Sequence, residues 1–108
     1  MTPVERYVQA SLELEAARAA LADAARWMRD FAHNLETRRG RMAFVNLPGS
    51  TFLDRLREDV WRWDAATAPD PARLQAMLEA HFEALAAARS AWEAIPPEQR
   101  AVLTEPKP

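Results

Sequence analysis

Apolar positions in the first forty residues repeat every seven. Tyr7, Leu14, Leu21, Met28, Leu35 and Met42 form one line, and Ala10, Ala17, Ala24 and Phe31 fall three residues after the first four. This is a heptad seam with a large residue at one position and mostly alanine at the other. Small seam residues let a second helix approach near the short end of the usual range of roughly 8–10 Å. Ala20, Ala25, Trp27 and Ala32 flank the seam and widen it beyond a two-stranded zipper, as in a bundle. Thr2, Pro3 and Glu5 give the start signals: a capping hydroxyl, a first-turn proline and a glutamate three residues after the cap. No Gly or Pro follows until Gly40. The pattern predicts a helix over about 3–38, on the order of 50 Å long.

The pattern breaks at Arg38-Arg39-Gly40-Arg41. Gly40 suits a helix C-cap, with arginines at the negative end of the dipole. Met42, Phe44, Val45 and Leu47 then predict a loop that packs down, and Pro48-Gly49 a turn. With Ser50 or Thr51 as cap and Asp54 three residues after Thr51, a second helix is expected over about 51–66. Phe52, Leu53, Leu56, Val60 and Trp63 share one of its faces. Asp70 and Pro71 start a third helix over about 70–95. Its apolar face runs Leu74, Leu78, His81, Leu85, Ala88, Trp92 and Ile95, widened by Met77 and Phe82. Pro96-Pro97 stops it. A short helix over 97–103 follows, and residues 104–108 are expected to fray.

The expected fold is all-α: one helical domain over 1–108, an antiparallel bundle of three main helices plus a short C-terminal one. Short connections make the three run up, down, up. The first outreaches the others, so part of its seam is left for another chain.

Composition agrees with helix. The chain has 108 residues, 23 of them alanine and 2 glycine. The absence of cysteine excludes disulfides, thiolate metal sites and thiol catalysis. No apolar run reaches the ~18 residues of a membrane span. Met-Thr-Pro-Val-Glu-Arg lacks the apolar stretch of a leader, so a cytoplasmic protein without membrane partners is expected. The net charge is −2. Residues 26–62 carry eight arginines against five acids, between two acidic ends. Nucleic-acid domains usually show a larger excess.

Candidate chemistry is sparse. Two glycines cannot build a phosphate-binding loop. Asp30, His33 and Glu36 have metal-like spacing, but His33 lies opposite the seam and reads as a surface histidine. His81, on an apolar face, reads as half-buried at a bundle edge. Asp54, Glu58 and Asp59 interleave with Arg55, Arg57 and Arg62, the pattern of a solvated helix face. No enzyme, metal or cofactor is expected. Val4, Val8 and Leu12 form a second apolar face on the first helix, and Trp61 lies off the face of Trp63. These residues, with Leu14, Leu21 and Trp27, are the candidate interface of a homo-oligomer, dimer or larger, or of another protein.

The sequence therefore predicts a non-catalytic assembly or adaptor protein that self-associates through its first helix. One alternative is a small nucleoprotein subunit, of the phage DNA-packaging small-subunit kind, contacting polyanion through Arg26, Arg29, Arg38, Arg39 and Arg41. Another is an export-type chaperone holding a partner helix. For the arginine turn, a helix cap without a ligand is the expected role.

Overall fold

The computed structural model describes residues 1–47 and 61–108. The expected Pro48-Gly49 turn, the cap at Ser50 or Thr51 and the apolar face from Phe52 to Val60 lie outside the described residues. The elements are helix α1 (Pro3–Thr37), a 3-10 turn (Arg39–Arg41), strand β1 (Met42–Val45), strand β2 (Trp61–Asp64), helix α2 (Pro71–Glu93) and the single turn α3 (Pro97–Arg100). Thr2 caps α1, its hydroxyl accepting the Glu5 amide at 3.1 Å.

The fold is not the expected three-helix antiparallel bundle. Residues 61–64, assigned by pattern to the end of a second helix, form β2, which pairs in parallel with β1. Met42 stands opposite Trp61 and Phe44 opposite Trp63. Parallel pairing needs a connection of a dozen residues or more, and the stretch 46–60 has that length. The physical reason for the correction is periodicity. On a helix Trp61 and Trp63 point about 160° apart, whereas on a strand alternate residues share a face. Both indoles contact Trp27 and Phe31 of α1, which only the strand allows.

The chain divides into two compact units. The first comprises Met1–Asp23 and Pro71–Pro108. In it, α1 and α2 run antiparallel. Tyr7 packs on Trp92 with ring centroids 5.3 Å apart, while Leu14 shares a buried cluster with Leu85. Seven residues forward on one helix thus match seven back on the other. In the expected up-down-up order these two helices were parallel. With residues 61–64 in a strand, that order no longer holds. The core is Ala10, Leu14, Leu85 and Ala88, with Ala84 and Ala91 against it. Four of these six are alanine, the small-residue packing that the seam predicts. Ile95, 1% exposed, plugs the end of α2. Arg100 then folds back: its guanidinium lies 5.7 Å over the Trp92 ring and donates to the Glu93 carbonyl at 2.9 Å.

Residues 104–108, expected to fray, form no helix or strand. The Tyr7 hydroxyl donates to the Thr104 carbonyl, and the Arg18 guanidinium donates to the Lys107 carbonyl.

The second unit, Ala24–Asp70, contains the last part of α1 and the two strands. Here the heptad line leaves the buried face. Met28 and Leu35 are 39% and 49% exposed, while Ala24 and Asn34 are buried and Trp27 and Phe31 half-buried. A strict seven-residue repeat drifts around a straight helix, so it keeps facing one partner only where the helices supercoil. Val45 and Ala68 are also buried. Asp64 Oδ1 accepts from Asn46 Nδ2 at 2.7 Å and from the Ala66 amide at 2.9 Å, which clips the strand ends together. Asn46 has φ 60°, a left-handed conformation that asparagine tolerates better than most residues.

Candidate functional site

Three surfaces gather the residues singled out from the sequence. The first is the outer side of α1. Val8 and Leu12, one turn apart, are 47% and 57% exposed. Val4, a turn earlier, is half-buried. The opposite side of this helix carries Tyr7, Ala10 and Leu14, all buried. Leu14, named above as an interface candidate, is 3% exposed because its own chain covers it with α2. Leu21 is half-buried.

The second surface is an aromatic cluster. Trp63 lies 4.4 Å from Trp27 and 4.7 Å from Phe31, both edge to face. Phe44 meets the same indole at 5.8 Å. Trp61 lies 5.5 Å from Trp27 and 5.6 Å from Phe31. Centroid separations of ~4.5–7 Å with tilted planes are the favoured arrangement for ring quadrupoles. Trp27 and Trp61, assigned separately to an intermolecular interface, thus meet each other within one unit. The four α1 and β2 rings are half-buried, and Phe44 is 45% exposed at the rim. Phe44 was legible only as a loop anchor. The Met-Ala-Phe-Val and Trp-Arg-Trp-Asp alternations are the signals that mark the strands.

The third surface is the arginine turn. Thr37, Arg38, Arg39, Gly40 and Arg41 line an open cleft of about 550 Å³. All five are exposed. The expected glycine cap is absent: Gly40 sits inside the 3-10 turn, without the left-handed backbone of a cap. The end of α1 is closed instead by the Arg38 amide donating to the Asn34 carbonyl at 2.7 Å, and by the Thr37 hydroxyl donating to the His33 carbonyl at 2.8 Å. Arg26 and Arg29 are exposed on the last turns of α1.

Two exposed apolar residues on α2 were not singled out from the sequence as surface. Leu78 and Phe82, one turn apart, are 45% and 62% exposed, although their spacing places them with the core face. Among the described residues no group of three or more potential metal ligands occurs. No helix of the described residues is long and apolar enough to cross a membrane. Compared with known proteins, the chain matches no family model, no curated protein and no solved structure.

Proposed function

We propose that this protein is a non-catalytic assembly protein that self-associates through the outer face of α1. One observation carries the reading: Val8 and Leu12 present aliphatic side chains to water on a helix whose opposite face is already filled by α2. An uncovered apolar strip of this kind is a common mark of protein contact. Leu78 and Phe82 add a similar strip on α2. The test is solution mass by light scattering at tens of micromolar, where a dimer or larger is expected. Val8→Glu with Leu12→Glu should return the monomer and leave helicity intact, because both sites are exposed. A monomeric wild-type chain would overturn the proposal.

A second reading, polyanion contact by Arg38, Arg39 and Arg41, is favoured by a separate observation. These side chains surround an open cleft, and backbone and threonine bonds close the end of α1. Those bonds do not involve the arginine side chains. If they meet phosphates, replacing all three by alanine weakens duplex binding for every sequence alike. It also flattens log K against log salt by up to about 0.9 for each phosphate no longer neutralised. Absence of wild-type binding to a short duplex at about 150 mM salt sinks this reading.

A further inference from the structure

The first unit contains an arrangement that neither reading uses. Tyr7, Ser11, Leu14 and Arg18 recur on α1 at four- and three-residue steps, so they form one stripe. Residues 104–107 lie over it and line with it an open groove of about 370 Å³. We infer that this stripe is a docking site for an extended, proline-containing peptide segment of a partner protein, and that the chain's own residues 104–108 occupy it in cis.

Four features of the stripe and tail support this. Both hydrogen bonds go from α1 side chains to main-chain carbonyls, those of Thr104 and Lys107. Any extended chain offers such acceptors, because a polyproline-type backbone makes no internal hydrogen bonds. The two carbonyls are three residues apart, the repeat of a polyproline-type helix. Pro106 and Pro108 favour an extended segment: each fixes its own φ and biases Glu105 and Lys107 away from the helical region. Pro106, between the two anchors, is the one residue of 104–108 that is not exposed, and it lines the groove with Leu14. Hydroxyl and guanidinium donors beside an aromatic ring and an apolar pocket are the elements of proline-segment recognition.

The cis segment is a weak occupant, with two hydrogen bonds and one half-buried ring. Its advantage is tethering, which for a short flexible link amounts to an effective concentration on the order of millimolar. A longer or better-matched segment in trans displaces it. The site is then gated by residues 104–108, and its ligand class is set by backbone conformation more than by side chains.

The test uses the chain of residues 1–108 and a dye-labelled peptide of residues 101–108, followed by fluorescence anisotropy. A chain carrying Pro106→Gly and Pro108→Gly leaves the stripe open and should bind the peptide about tenfold more tightly than wild type. Adding Tyr7→Phe and Arg18→Met should abolish that gain. Equal affinity of the wild-type and opened chains, or no binding to the opened chain at millimolar peptide, overturns the inference. Tyr7→Phe removes one hydroxyl from an otherwise unchanged chain. On its own it should lower the heteronuclear NOE of Glu105 and Lys107, and an unchanged NOE also overturns the inference. Self-association through Val8 and Leu12 is read by mass and involves another side of α1. The two proposals therefore fail separately. A wild-type dimer that dissociates on the two proline changes would mean exchange of tails between copies, and would overturn the partner-peptide assignment.

Discussion

The two units of this chain solve the same packing problem with opposite materials. In the first, α1 meets α2 through alanines, and the core is Ala10, Leu14, Leu85 and Ala88. In the second, α1 supplies Trp27 and Phe31 to the indoles of a two-stranded sheet. Small-residue packing works by proximity: helix axes approach and many weak dispersion attractions add up. Aromatic packing works by area and ring orientation, and a few residues cover a large surface. One helix serves both regimes because its side chains change in size along its length. The difference shows why a uniform seven-residue seam misdescribes α1: Met28 and Leu35 continue the sequence repeat into water.

The comparison can be broken most strongly at Leu14. At 3% exposure, Leu14→Glu places a charge in the apolar core of Ala10, Leu85 and Ala88. We expect a loss of about 4 kcal/mol or more in chemical denaturation followed by circular dichroism at 222 nm. Trp63→Ala attacks the other unit. It removes the ring that touches Trp27, Phe31 and Phe44, and should cost about 2–3 kcal/mol and much of the near-ultraviolet dichroism. A fall in helix signal alone, with the near-ultraviolet bands intact, would contradict the cluster. Asn34→Leu has the opposite sign. Asn34 is 7% exposed, its Nδ2 donates to the Asp30 carbonyl at 2.7 Å, and its Oδ1 is buried without a partner. Replacing the amide by a similar-sized apolar group should stabilise the chain by about 1 kcal/mol, measured as a raised denaturation midpoint. The smallest effect is expected at Arg62. It is exposed between two half-buried indoles, so Arg62→Ala should cost less than a change at either neighbour, about 1 kcal/mol or under. A costly, cheap, costly series over 61, 62 and 63 is a strand's signature, and any other order argues for helix.

What the sequence could show follows from how local each signal is. The start of α1 at Thr2 and Pro3, the start of α2 at Pro71 and its stop before Pro96-Pro97 are written in adjacent residues, and the structure places the helices there. The alanine-lined helix pair was also legible, since Ala10 and Leu14 lie on the repeat. Residues 61–64 were misread because Trp63 continues the helical spacing of Leu56 and Val60. A four-residue strand depends on a partner far away in the chain, and nothing beside Trp61 announces Met42. The same holds for the tail. Thr104 to Pro108 looks unsupported by its neighbours, and its two anchors, Tyr7 and Arg18, lie at the other end of the sequence. At the candidate surfaces, Val8 and Leu12 were legible as a second apolar face. The arginine turn was legible in composition but not in role, because whether Gly40 adopts a cap conformation is decided by the backbone.

Tyr7 is the sole tyrosine of the chain, and the Trp92 ring lies 5.3 Å from it. At that separation an excited phenol hands its energy to the indole long before it emits. The native protein should therefore show no tyrosine fluorescence, and a phenol band should appear only when α1 and α2 part. The first unit thus carries a built-in optical ruler, readable without any label.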